Sequence, residues 1–160
     1  MDDLEDLYRE IILDHYRSPR NHGELPSPPA HRTEGFNPLC GDEIILTLLV
    51  EDGEVRDMKV SGHGCSISLS SASLMTGTVK GRSVADARTA MRSFKRMMTV
   101  GEGEPDGEAE EPVDLRSLGE LAALQGVVKF PVRIKCATLA WNTLDQALHE
   151  LESEPAALEG

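Results

Sequence analysis

Residues 43–60, EIILTLLVEDGEVRDMKV, decide the fold. Two runs rich in β-formers, 43–50 and 54–60, flank Glu51-Asp52-Gly53, and an acidic-glycine turn between such runs signals a hairpin. Working outward, HRTEGFN at residues 31–37, just before Pro38, is expected to add a third, edge strand. Upstream of it, Leu4, Leu7, Tyr8, Ile11, Ile12 and Tyr16 recur at helical spacing, with Asp2 and Asp3 at the end where a helix dipole favours negative charge. This predicts an amphipathic helix over residues 3–16, ended by Ser18-Pro19. Residues 20–30 hold three prolines without periodicity and read as a connector.

Beyond the hairpin the pattern turns helical. A helix is expected from Ser66 to about Gly81. A second spans Ser83–Met98, with Ser83 as its cap and Val84, Ala87, Met91, Phe94 and Met98 on one face. A short helix is expected at about Leu115–Leu124. The last begins at Pro131, which suits a first helical turn, and carries Ile134, Ala137, Trp141, Leu144, Leu148 and Leu151 in steps of three and four. Trp141 and Met75, Met91, Met97 and Met98 are expected in the core. The order of helix, strands, then helices favours an α+β fold, a small antiparallel sheet of about three strands with helices packed on it, over a βαβ arrangement. At 160 residues the chain is expected to form a single domain, 1–160.

Composition narrows the function. A formal charge of −12 argues against nucleic acid, whose phosphates demand a basic patch. Seven acidic residues, Glu102, Glu104, Asp106, Glu108, Glu110, Glu111 and Asp114, fall between Arg96 and Arg116 without one lysine or arginine. With glycine and proline and little apolar surface, residues 101–114 are expected to form a flexible acidic loop. No apolar run approaches the roughly 20 residues that cross a bilayer, so no membrane partner is expected. Three cysteines, an odd number, and no leader-like segment at Met1–Asp14 predict reduced thiols in a cytoplasmic protein.

Those cysteines carry the chemistry. Cys40 enters the first long strand in NPLCGDEI, and Asp42, two residues on, shares its side of an extended chain, so one metal ion can be gripped by both. Cys65 ends the second strand. With the loop midpoint near residue 52, position 43 is expected opposite about 61, which puts both thiols at one edge of the sheet. Cys136 lies one to two turns into the last helix, off the core stripe and on the face of Arg133. A thiol near a helix N-terminus and beside a cation gains thiolate character. Against this, a single cysteine is usually an inert buried hydrophobe, and the spacings lack the short C-x-x-C pairs of zinc fingers. His15 and His22 read as capping or surface groups, and His63 as a candidate hydrogen-bonding partner behind the ligands.

The stretches LYREIILDHYRSPRN, NPLCGDEI, GHGCSISLSSASLMT, VKGRS and RIKCATLAWNTL, in this order, resemble the U-type proteins of iron–sulfur cluster assembly, SufU and IscU. Lys135 stands before Cys136 where IscU-type scaffolds resemble one another in a histidine, VVKFPVRIK replaces their LPPVK segment, and residues 101–126 form an extra stretch. All three features point to the SufU branch. The resemblance implies a zinc site made by Cys40, Asp42, Cys65 and Cys136, and transfer of persulfide sulfur from a SufS-type cysteine desulfurase toward downstream iron–sulfur assembly proteins. Cys40, on a polar turn while the other sulfurs sit on helices, is the expected acceptor, and Arg133 is expected to stabilise the thiolate or persulfide. The alternative is a scaffold on which a [2Fe–2S] cluster assembles on the same ligands.

Overall fold

The hairpin forms because Asp52 and Gly53 both take positive φ, 54° and 75°, the backbone a two-residue type I′ turn requires. It joins the central and one outer strand of a three-stranded antiparallel sheet in the order β1-β2-β3. A computed structural model describes residues 2–27, 29–38, 41–99 and 119–153. The elements are α1 (Asp2–Arg17), β1 (His31–Asn37), β2 (Asp42–Glu51), β3 (Glu54–His63), α2 (Ser66–Val79), α3 (Val84–Thr99), a 3₁₀ segment (Gly119–Lys129) and α4 (Pro131–Ser153). The expected acidic loop at 101–114 lies outside the described residues.

The sheet buries one face. Ile44, Leu46 and Leu48 of β2 alternate inward, each fully buried, with Val55, Met58 and Val60 of β3 beside them. Each such side chain contributes about 1.5–3 kcal/mol on burial, so this period-2 stripe sets which face receives helices. The helix α4 packs on β1 and β2, while α2 packs on β3 and lies between α1 and α4. Trp141 stacks on Phe94 of α3 at 4.9 Å between ring centroids, and Met75, Met91, Met97 and Met98 join them in the core as expected.

Three local expectations need correction. Glu43 pairs with His63 rather than with residue 61, because the turn centres between Asp52 and Gly53 and a bulge at Leu49/Val50 adds one more step. The segment around Leu121 is a 3₁₀ run, not an α-helix over 115–124; residues 115–118 are outside the described part. Leu121, Ala122, Ala123 and Leu124 are buried consecutively, a pattern no single α-helical face accommodates. His15 is not a surface group. It is 5% exposed, its Nδ1 hydrogen-bonded to Ser73 Oγ at 2.7 Å and its Nε2 to Glu120 Oε1 at 3.0 Å, which ties α1 to α2 and to the 3₁₀ segment.

The helix α2 lacks a polar face altogether. Ser68, Ser70, Ser71, Ser73 and Thr76 are buried with its apolar residues. An unpaired buried hydroxyl costs about 1–3 kcal/mol, and here none is unpaired. Ser70 donates to the Ile12 carbonyl, Ser71 to Ala137, Thr76 to Ser73, and Ser73 bonds His15. The small side chains let α1 and α4 approach α2 closely, and that approach assembles the site.

Candidate metal centre

Asp42 opens β2 and is 2% exposed. Cys65 is the N-cap of α2, in extended backbone, with its sulfur 3.5 Å from the Ser68 backbone N–H. The Cys65 N–H donates to Asp42 Oδ1 at 3.1 Å, and the Ser68 hydroxyl donates to Asp42 Oδ2. The carboxylate thus satisfies a helix-start donor, as a capping side chain does, although it comes from a neighbouring strand.

The corner between β3 and α2 is built around two glycines. A Cβ on Gly62, whose φ is 129°, falls 2.1 Å from the Glu43 carbonyl oxygen. One on Gly64 falls 2.7 Å from Asp42 Oδ1. Only a bare backbone passes between strand and carboxylate here.

The third group arrives from α4. Cys136 is fully buried, and its carbonyl oxygen lies 3.3 Å from Ser68 Oγ. The ligating atoms of Asp42, Cys65 and Cys136 all lie within 4.8 Å of one another. Cys65 Sγ stands 3.8 Å from Asp42 Oδ2. Zinc–sulfur and zinc–oxygen bonds of about 2.3 and 2.1 Å at tetrahedral angles put sulfur and oxygen about 3.6 Å apart, so this donor set has the spacing of one zinc shell. Two sulfurs with one carboxylate oxygen suit zinc or iron better than magnesium or calcium, which take oxygen. Cys65 and Cys136 are both free thiols.

Cys40 lies outside the described residues, so its side chain is not placed. Its chain neighbours are: Asn37 pairs with Asp42 across β1 and β2, and the Gly41 N–H donates to the Asn37 carbonyl at 2.8 Å. Arg133, exposed at the start of α4, faces the sulfurs. The electrostatic interaction with the Cys65 sulfur first, then a hydrogen bond to the Cys136 sulfur, push the guanidinium pKa up from its ordinary value. His63 turns to solvent and to Glu43. It is 72% exposed and pairs with Glu43 at 3.2 Å.

Ser68 was not singled out from the sequence. Its signal there is only its place three residues after Cys65, where a capping residue's partner sits. An open groove of about 690 Å³ adjoins the centre between α1, the start of α2 and the 3₁₀ segment, with Tyr8, Ile12, Ile67, Phe130 and Arg133 on its walls.

Residues 7–137 match the family described as NifU-like N terminal domain. The chain is 42% identical over 149 residues to the zinc-dependent sulfurtransferase SufU of Bacillus subtilis, spanning 93% of this chain and 94% of that one. It is 38% identical over 145 residues to the iron–sulfur cluster assembly scaffold protein IscU of Streptococcus pyogenes, spanning 91% and 84%. The crystal structure of a Fervidobacterium islandicum protein described as an iron–sulfur cluster assembly scaffold protein for the SUF system (FiSufU) superposes with a TM-score of 0.76 at 32% identity, covering 87% of this chain and 94% of that one. With the family's pattern running through most of its length and relatives aligned nearly end to end, the chain belongs to the NifU-like N-terminal domain family, among its SufU/IscU-type members.

Proposed function

We propose that this protein is a zinc-dependent sulfur carrier that accepts persulfide sulfur from a SufS-type cysteine desulfurase and passes it to iron–sulfur cluster assembly in the cytoplasm. The observation that carries the reading is the convergence of Asp42, Cys65 and Cys136 within 4.8 Å beside Arg133. Support comes also from the B. subtilis relative, named a zinc-dependent sulfurtransferase. Among the described residues no helix is long and apolar enough to cross a membrane. One continuous hydrophobic cluster joins the sheet, α2, α3, the 3₁₀ segment and α4, which supports reading residues 1–160 as a single domain.

Asp42, Cys65 and Cys136 hold the metal in this reading, and Cys40 completes the four. Cys40 stands two residues before Asp42 in the chain. Bound zinc supplies a charge that keeps cysteine sulfurs deprotonated near neutral pH. The transfer is a thiolate–persulfide exchange: the Cys40 thiolate attacks the outer sulfur of the partner's persulfide, the partner's S–S bond breaks, a new S–S bond forms on Cys40, and the partner's thiolate leaves. Arg133 offsets negative charge on the exchanging sulfurs. The adjoining groove, with Phe130 exposed on its wall, offers an approach for the donor segment.

The test is to incubate each Cys→Ser variant with desulfurase and cysteine, and to trap persulfide for mass spectrometry. Cys40→Ser is expected to carry none; a variant loaded as fully as the parent removes Cys40 from the role. The scaffold reading, favoured by the names of the S. pyogenes relative and of the F. islandicum structure, predicts a stable brown protein on anaerobic reconstitution, whereas the carrier stays colourless with one zinc.

A further inference from the structure

One buried hydroxyl touches all three described members of the centre. Ser68 has no solvent exposure; its O–H donates to Asp42 Oδ2, and its oxygen lies 3.7 Å from Cys65 Sγ and 3.3 Å from the Cys136 carbonyl. We propose that Ser68 is a positioning residue that locks the Asp42 carboxylate, and with it the Cys65 cap, into the geometry that receives the metal. This rests on the zinc reading above.

A hydroxyl has a single proton, and two oxygen acceptors, Asp42 Oδ2 and the Cys136 carbonyl, compete for this one, while the Cys65 sulfur lies against the hydroxyl oxygen. The carboxylate wins because a charge-assisted bond is shorter and stronger than one to a carbonyl, and the contact to Oδ2 is the shorter of the two. Left to itself, the χ2 torsion of an aspartate is broad and the carboxylate plane swings. Here Oδ1 is held by the Cys65 N–H and Oδ2 by Ser68, so the plane is pinned from both ends by the first turn of α2. Each oxygen keeps a second lone pair, which leaves the carboxylate able to ligate. The neighbouring hydroxyls do other work: Ser70 and Ser71 donate to main-chain carbonyls of α1 and α4. Ser71 is therefore a matched control, a buried serine of the same helix bonded to α4 without touching a ligand.

Zinc affinity by chelator competition and the ligand-field absorption of cobalt(II) substituted for zinc test the proposal in Ser68→Ala, Ser68→Thr and Ser71→Ala. Loss of a ligand's outer hydrogen-bond partner is expected to weaken zinc binding about 10–100-fold in Ser68→Ala and to alter its cobalt spectrum. Ser68→Thr, which keeps the hydroxyl, is expected to recover most of the affinity, and Ser71→Ala to melt earlier yet bind zinc like the parent. In an Asp42→Ala background, Ser68→Ala is expected to change affinity no further, since both act through one carboxylate. Parental affinity and spectrum in Ser68→Ala, or an undiminished loss in the Asp42→Ala background, overturns the positioning role. A parent that takes up neither metal is a separate result, which refutes the zinc centre itself and the role with it.

Discussion

Cys65 Sγ stands 3.8 Å from Asp42 Oδ2 although 23 positions separate the two residues, and the Cys65 N–H donates to the same carboxylate. In the zinc reading Asp42 therefore has two jobs, ligand and helix cap. Asp42→Ala is expected to lose zinc readily to a chelator and also to destabilise the metal-free protein by about 1 kcal/mol, the usual cost of a lost cap. Unchanged zinc retention beside a lowered metal-free melting temperature leaves Asp42 only the second job.

Gly64 has no room for a side chain, since its Cβ would sit 2.7 Å from Asp42 Oδ1. Gly64→Ala is expected to push the carboxylate aside and weaken zinc binding at least about tenfold, within the range found for disturbed outer shells. Gly77, exposed in α2 with nothing within 4 Å of the point a Cβ would occupy, is the contrast. Gly77→Ala should stabilise the protein by about 0.5–1 kcal/mol in urea titrations and leave zinc affinity alone.

Arg133 answers to a different assay. Its guanidinium faces the Cys65 and Cys136 sulfurs from an exposed position. Arg133→Ala is expected to slow persulfide loading about tenfold while zinc retention stays parental, and Arg133→Lys to restore part of the rate, since a lysine keeps the charge but not the planar fork. Loading at the parental rate in Arg133→Ala removes the residue from the transfer.

Glu150 gives an acid-dependent term. Hydrogen bonds from Gln146, then His31 and Thr33, hold its carboxyl below the ordinary 4.5, fastening the end of α4 to β1. A depressed folded-state pKa means stabilisation fully present above 4.5 and lost as pH falls through the folded value. Melting curves of the parent and Glu150→Gln are expected to differ at neutral pH and to converge in that acid window. A constant difference across it contradicts the assignment.

His15→Ala strips a buried link between α1, α2 and the 3₁₀ segment. The Ser73 hydroxyl, which also accepts the Arg20 N–H at 2.9 Å, loses its ring partner. The expected cost is about 2 kcal/mol, or about 4–8 °C in calorimetry, with zinc affinity parental.

What was legible beforehand was local. Asp52-Gly53 supplies the positive φ a tight turn needs, alternation in β2 selects a face, and Pro131 with the steps from Ile134 to Leu148 sets α4, because short-range sterics and side-chain period act within a few residues. The same locality predicts Cys40 and Cys65 at one sheet edge; of that pair only Cys65 is among the described residues, and it lies beside Asp42. Locality did not give the Glu43–His63 register, which a bulge shifted, nor the turn of His63 toward Glu43 and solvent. Nor did it give the buried partners of His15, or the hydroxyl of Ser68 as the contact shared by Asp42, Cys65 and Cys136. Those depend on how closely α1, α2 and α4 pack, which is settled by small side chains, paired hydroxyls and glycine clearances summed over the whole core. No stretch of chain encodes them separately, since each exists only once distant surfaces have closed on one another.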